Sequence, residues 1–347
     1  MKDNAHTFEH SDTYALAALA TLALRLVIGW TYFSAFLRRV VLENKLDPDV
    51  AGYVGEKFNH FLPNALGIKP LIAYLVTHPD TLFWAMVLFT CIEGIVGLAI
   101  MLGFFTRLMS LGVMGLAGGI LLGSGWLGTT CLDEWQIGIL GVAGGFALGV
   151  AGGGFYSADY WIRNKFPAIR RKPWFVWMAS GELPCRARPL CRWVAALSVA
   201  IFALALYTNQ YFHGGVGGPL HNKSVKPRIE LADVRLENGR LSFDIYRVEG
   251  VDVYGSFLIG ITLKDAQGTI RFNRTGEELK DFPTSAIANV YVAKVKPGAH
   301  SLVVPLGAKA RLRLEDPALQ QLPEGKYTLV LTDISGATWQ QEVEWRG

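Results

Sequence analysis

Apolar residues fill five long runs, 14–37, 81–102, 108–127, 136–153 and 193–211, and after the last of them the pattern changes. Each run is about 18–25 residues, long enough for a helix to cross a hydrocarbon layer of ~30 Å. The fourth is the shortest and richest in glycine. The first carries Arg25 near its middle and lacks a small-residue cleavage site, which predicts an uncleaved anchor and not a removed signal. Beyond a glycine hinge at 213–218 the hydrophobic period becomes two. Leu241, Phe243 and Ile245 alternate with polar positions, as do Tyr327, Leu329 and Leu331, and then Trp339, Gln341, Val343 and Trp345. Asn238-Gly239 and Ser335-Gly336 separate such runs as hairpin turns. The segment 322–327, a Pro-Glu-Gly turn leading into Tyr327, is the turn-plus-tyrosine entry to a strand of an immunoglobulin-like sandwich. The predicted fold is an α-helical membrane bundle, a four-helix core plus a fifth transmembrane helix, followed by an all-β immunoglobulin-like sandwich of about seven strands. The expected divisions are a four-helix domain at 1–160, a basic segment at 161–192, the fifth helix at 193–212 and the sandwich at 213–347.

Two finer patterns lie within this frame. The connection 38–80 is long, and its apolar residues recur at helical spacing in 54–62 and 68–76, with Pro63 and His78-Pro79 as punctuation. It reads as short amphipathic helices over the outer mouth of the bundle, or as a plain surface loop. Gly115, Gly119 and Gly123 form a ridge on the third span, and Gly141, Gly145 and Gly149 one on the fourth. Small residues at this spacing let helix backbones approach closely. They serve packing within the bundle or the seam of a homodimer.

Composition supports the membrane reading and orients it. Of 347 residues, 51% are hydrophobic, and the formal net charge is +4. The excess charge is no nucleic-acid footprint, because it concentrates in Arg163, Lys165, Arg170, Arg171, Lys172, Arg186, Arg188 and Arg192. A basic cluster between spans marks the cytoplasmic side. Counting spans from there predicts a multi-pass protein of the cell (inner) membrane, with a cytoplasmic N-terminus and an extracytoplasmic C-terminal domain. The sandwich region has no cysteine. Cys185 and Cys191 fall on the reducing side, Cys91 within the second span, and Cys131 at the outer surface.

Charged residues inside the spans need partners. Counted from the inner ends of their runs, Arg25 and Glu93 both fall at roughly 15 Å depth, so they are expected to pair. The pair reads as structural, or as a proton relay or quinone contact. Arg107 and Asp159 are expected at the inner face, paired or snorkelling. The outer face collects Arg38, Arg39, Lys57, His60, Lys69 and His78, then Trp126, Cys131, Asp133, Glu134 and Trp135, then His221 and Lys223. Basic residues around an exposed thiol suit a small anion. The same residue types also make an ordinary interfacial belt. Two motifs are discounted. His6-Thr-Phe-Glu9-His10 matches an inverted zinc-protease pattern but lies in a polar tail, and Gly123-Ser-Gly125-Trp-Leu-Gly128 ends a span instead of joining a strand to a helix. No metal site is predicted.

Several of these residues carry a family resemblance. Arg25-Leu-Val-Ile-Gly29, Glu93-Gly94 with Gly97, Gly103-Phe-Phe-Thr106-Arg107 and Gly152-Gly-Gly154-Phe-Tyr-Ser157-Ala-Asp159 resemble the DoxX/DoxD-like family of four-helix membrane proteins. The long outer loop and Trp126-Leu-Gly-Thr-Thr-Cys131-Leu-Asp133-Glu134-Trp135 are similar to its DoxD branch. The tail from Gly218-Pro-Leu-His221-Asn-Lys223-Ser-Val225 resembles DoxA, the partner of DoxD in thiosulfate:quinone oxidoreductase. The resemblance implies oxidation of thiosulfate to tetrathionate on the outer face, with membrane quinone as electron acceptor and no tightly bound cofactor. The residues expected at the chemistry are Cys131, Glu134, Asp133 and His60. Arg38, Arg39, Lys69 and His221 are expected to bind substrate, and Arg25, Glu93, Trp126 and Trp135 to face quinone within the membrane. The competing readings are a non-catalytic membrane scaffold or sensor whose sandwich binds a partner, and a quinone-linked enzyme for another sulfur compound.

Overall fold

A computed structural model describes residues 15–128, 133–170, 172–183, 185–251 and 256–345. The chain divides into two compact units. One comprises Met1–Val50, Trp84–Gly125 and Glu134–Leu220, and the other Ala51–Phe83, Trp126–Asp133 and His221–Gly347.

In chain order the helices are α1 (Ala15–Leu42), α2 (Val54–Phe61), α3 (Lys69–Thr77), α4 (Pro79–Leu102), α5 (Thr106–Ser124), α6 (Asp133–Ala151), α7 (Ala158–Lys165), α8 (Pro167–Arg170), α9 (Pro173–Met178) and α10 (Ala187–His213). Five of them, α1, α4, α5, α6 and α10, are long and apolar enough to cross a membrane. The protein is a membrane protein.

In the first unit, glycine sets how closely the helices approach. A Cβ on Gly29 of α1 would lie 2.5 Å from Met101 Cγ and 2.7 Å from the Gly97 carbonyl of α4. One on Gly97 would lie 2.4 Å from the backbone nitrogen of Phe33. Backbone therefore meets backbone along this seam, as small residues permit. The α6 ridge packs against α5 in the same way, with Gly141 against Ala117 and Gly145 against Met114. The α5 ridge is buried at Gly123 but open at Gly115 and Gly119. Gly115, Gly118 and Gly119 have no described atom within 4 Å of where a Cβ would stand. A ridge is readable from spacing, but the side of the helix that meets a neighbour is not.

α1 is irregular. It passes through a 3₁₀ turn at Ala18–Thr21, runs as α-helix over Leu22–Phe36 and ends as π-helix over Leu37–Leu42. The span expected to stop at Leu37 thus continues through Arg38 and Arg39. Wider π turns rotate side chains relative to an α-helix and are frequent at functional sites.

The second unit contains α2, α3 and the sandwich. Its strands are β1 (Arg228–Glu237), β2 (Arg240–Glu249), β3 (Ser256–Asp265), β4 (Ile270–Thr275), β5 (Ile287–Asn289), β6 (Lys296–Pro297), β7 (Leu302–Val304), β8 (Lys309–Glu315), β9 (Gly325–Asp333) and β10 (Thr338–Trp345). One sheet has the order β1-β2-β8-β5, and the other β10-β9-β3-β7-β6 with β4 also on β3. All pairs are antiparallel. The alternating residues fill the core between the sheets: Leu241, Phe243, Ile245, Leu329 and Leu331 are fully buried. Asn238 and Gly239 both take positive φ, 50° and 72°, as the predicted hairpin turn demands. Tyr327 donates its hydroxyl hydrogen to the Pro323 carbonyl at 2.6 Å, closing the predicted tyrosine entry. The strands beyond the expected seven are short. β5, β6 and β7 hold two or three residues each, too few for an alternation to show.

α2 and α3 form their own small core with the sandwich loop at Tyr291 and Val292, burying Leu62, Ala65, Ile72 and Val76. They match the helices expected at 54–62 and 68–76.

Candidate functional site

Glu93 is the carboxylate inside the membrane bundle, and Arg39 is its partner. The seam between α1 and α4 explains why Arg25 is not. A Cβ on Gly94 would meet the Phe36 ring, and one on Gly97 the backbone of Phe33, so Glu93 lies level with the end of the regular α-helix. Arg25 is about eleven residues below that level, roughly 16 Å along the axis. Arg39 sits less than one turn above it, and helical side chains lean toward the N-terminus. That lean brings its guanidinium down to Glu93. The expected Arg25–Glu93 pair fails because the first span was measured from its first apolar residue. The bundle itself begins about ten residues later, where α4 ends.

The Glu93 side chain is 4% exposed and that of Arg39 23%. Arg39 also lies 5.8 Å over the Phe89 ring. Tyr32 is buried nearby, with its hydroxyl beside Gly141 of α6. Thr90, one turn before Glu93, is 1% exposed, and its hydroxyl has no hydrogen-bond partner among the described residues. A buried hydroxyl without a partner is uncommon and demands an explanation. Thr90 at i−3 from Glu93 was visible in the sequence as a second polar residue on the same face. Arg38, next to Arg39, is exposed.

The opposite end of the unit is a clamp. Asp159 Oδ1 accepts from the Phe105 N–H at 2.7 Å. Its Oδ2 accepts from the Thr106 N–H at 2.9 Å and from the Thr106 and Ser180 hydroxyls, both at 2.7 Å. It caps α5 from across the bundle, because Phe105, at φ 47°, cannot supply a side-chain acceptor itself. Burial pushes the Asp159 carboxyl above its ordinary pKa, against the pull of those donors. Arg25 donates to the carbonyls of Gly153 and Tyr156. Arg107 donates to Gly149 O at 3.2 Å, to Val176 O and to Gly181 O at 2.7 Å. Arg107 and Asp159, expected at the inner face paired or snorkelling, both hold the 180–181 loop, Asp159 through the Ser180 hydroxyl and Arg107 through the Gly181 carbonyl. Gly103 has φ +64°, and a Cβ there would lie 2.5 Å from the Arg25 guanidinium, so only glycine fits.

In the second unit, Asn59 of α2 is fully buried. It donates to Gly307 O at 2.8 Å and accepts from the Ala293 N–H at 3.1 Å. Asn64 donates to Val248 O at 2.9 Å and accepts from Lys223 Nζ at 3.1 Å. The Trp126 indole, buried, donates to Phe61 O at 3.2 Å. The Gly128 N–H donates to Ser224 Oγ at 3.0 Å, and Asn222 donates to Gly128 O at 2.7 Å. Lys69 donates to Pro63 O at 2.8 Å. His60 is half-buried, and His221 is exposed. Replacing Asn59 by Ala is expected to cost about 2 kcal/mol, for two buried hydrogen bonds. The check is hydrogen exchange of 51–83 in the full-length protein, where unchanged protection would remove Asn59 from this role. In the first unit, Trp135 donates to Thr208 Oγ1 of α10 at 2.9 Å, and Glu134 is half-buried. Cys131 lies outside the described residues, and Asp133 is the first residue of α6.

Residues 20–186 match the family described as "TQO small subunit DoxD", and residues 212–342 match "TQO small subunit DoxA". The chain belongs to both families, fused in one polypeptide. The clamp residues Arg25, Gly103, Arg107 and Asp159, and the Glu93 pair, all lie in its DoxD part. The sandwich and the Asn222–Ser224 segment lie in its DoxA part. A membrane function of thiosulfate:quinone oxidoreductase type follows from the two families together. The described fold also has a match among solved structures, the reduced form of a superoxide reductase (neelaredoxin) from Archaeoglobus fulgidus. It is 13% identical with a TM-score of 0.16, over 35% of this chain and 87% of that one. A likeness at that level bears on neither fold nor function.

Proposed function

We propose that the protein oxidises thiosulfate to tetrathionate at the extracytoplasmic face of the cell membrane and passes the electrons to quinone. Two thiosulfate ions join through their outer sulfurs and release two electrons. Quinone takes up those two electrons with two protons and leaves as quinol. The reading rests chiefly on Glu93, a buried carboxylate held by Arg39 between membrane-length helices, with Tyr32 close by and a Thr90 hydroxyl that has no partner among the described residues. Intramembrane carboxylates of this kind mark proton or ligand pathways. Glu93 is assigned proton delivery to the reduced quinone, and Arg39 restrains and orients it.

Arg38 of the first unit and Lys69 and His221 of the second are exposed, and each is assigned to binding the oxyanion. Cys131 is assigned the sulfur chemistry, with Glu134, Asp133 or His60 as proton acceptors. Arg25 donates through its two terminal nitrogens to backbone carbonyls, and the Trp126 indole donates to another. A structural role is assigned to both.

The test is a thiosulfate titration of quinone reduction in membranes, with tetrathionate measured alongside and sulfite and a persulfide as competing substrates. Thiosulfate-dependent reduction with stoichiometric tetrathionate is the expected result. Activity only with another sulfur compound would reassign the substrate, and no activity with any would favour a binding role. In the same assay Cys131→Ala is expected to lower turnover at least a hundredfold. Wild-type turnover would remove the thiol from the reaction.

A further inference from the structure

We propose that the cleft between α10 and the bundle binds an anionic phospholipid, with one acyl chain in the cleft and the phosphate at the basic start of α10. The cavity measures about 580 Å³ and lies wholly within the first unit. That size is ordinary for a small-molecule site. Ser110 and Met114 of α5 form one wall, Gly145 and Gly149 of α6 the floor, and Ala200 and Leu204 of α10 the other wall. Its lining is almost entirely apolar, and it runs at the depth of the spans.

The fifth helix holds the cleft open. Its polar ties are at one end, where Thr208 accepts from Trp135 and His213 Nε2 donates to Gly125 O at 2.8 Å. None of its most apolar stretch is buried by the protein, so hydrocarbon must cover it. Gly145 and Gly149 line the groove opposite. α10 lies between the two family matches, which end at 186 and resume at 212, so the joining helix itself supplies this wall.

Charge selects the occupant. Leu197, Ala200, Ile201 and Leu204 form the cleft-facing stripe of α10. Carried back at helical period, the stripe passes Trp193 and reaches Arg186 at the helix start. Arg186 is exposed and forms no ion pair with a described residue. Arg188 and Arg192 are also exposed, but helical period places them with Val199 on the opposite face of α10. Arg107 and Trp177 close the cleft at this same end. An apolar slot with an unpaired guanidinium at its basic end fits one acyl chain with an anionic headgroup. Basic pockets between spans on the cytoplasmic side are a recurrent form of lipid site. A lipid without net charge would leave the Arg186 charge unbalanced. Membrane quinone would present no anion to it.

The experiment uses the full-length chain, purified in mild detergent and exposed to vesicles of phosphatidylglycerol or phosphatidylcholine. Retained lipid is read by native mass spectrometry. The wild type is expected to retain phosphatidylglycerol about tenfold over phosphatidylcholine. Arg186→Gln should bring that ratio close to one, while Arg188→Gln with Arg192→Gln, on the opposite face of α10, should leave it unchanged. Ala200→Trp, which fills the cleft, should abolish retention of both lipids. Val199→Trp, on the opposite face of α10, should leave retention unchanged and shows that a tryptophan is tolerated there. Equal retention of the two lipids by the wild type, equal effects of the two tryptophans, or quinone as the co-purifying species would each overturn the proposal.

Discussion

Asp159→Ala is expected to yield little folded protein. The substitution removes the acceptor of two backbone N–H groups and one hydroxyl at the start of α5, and of the Ser180 hydroxyl. A buried donor left without a partner costs about 1–3 kcal/mol. Losing even half of these bonds would remove several kcal/mol from a total stability on the order of 5–15 kcal/mol. Asp159→Asn keeps the shape and one carbonyl oxygen, so it should retain the fold with a lower thermal midpoint. The check is the yield of monodisperse full-length protein in detergent and its melting curve. If Asp159→Ala purified normally and melted within a degree or two of wild type, the clamp would hold nothing essential.

The second large effect concerns Arg39 and Glu93. Arg39→Ala leaves a buried carboxylate without its counter-charge, and breaking one side of such a pair typically costs about 3–5 kcal/mol. Replacing both partners by apolar residues of similar volume is often close to neutral. The double substitution Arg39→Met with Glu93→Leu should therefore restore thermal stability that Arg39→Ala loses. Turnover separates the roles. If Glu93 delivers protons to reduced quinone, the double variant stays at least a hundredfold below wild type, since general acid–base groups contribute about 10²–10⁴ in rate. Recovery of both stability and turnover would reduce the pair to a packing device. In either outcome tetrathionate should change in parallel with quinol, because the two products share one pair of electrons.

The broad plan was legible in the sequence because it follows from periodicity. Span length, the change of period after residue 212, the Asn238-Gly239 turn and the alternation around Phe243 each reflect a local rule, and each is present in the fold. What failed needed knowledge of which helix touches which. Arg25 and Glu93 share similar distances from the ends of their apolar runs, but the Gly29–Gly97 contact sets the register, and that contact is not encoded by spacing. The Gly115 ridge looks like the Gly141 ridge in sequence, yet Gly115 and Gly119 face no described atom within 4 Å. Asn59 escaped notice beside His60, because a buried amide acting between backbone groups leaves no motif. The π-helix that carries Arg39 toward Glu93 likewise depends on how the end of α1 packs.

The second unit is assembled from three stretches of chain, with two of them made long before the third. Leu62, Ile72 and Val76 pack with Tyr291 and Val292. At about 5–20 residues per second, the ribosome takes roughly 10–45 seconds to go from the first group to the second. For that interval the early loop has no cover for its apolar face. Biogenesis therefore needs either a chaperone on that side of the membrane or a transient seat for the loop on lipid. A chain stalled before residue 291 should be an early target of quality-control proteases.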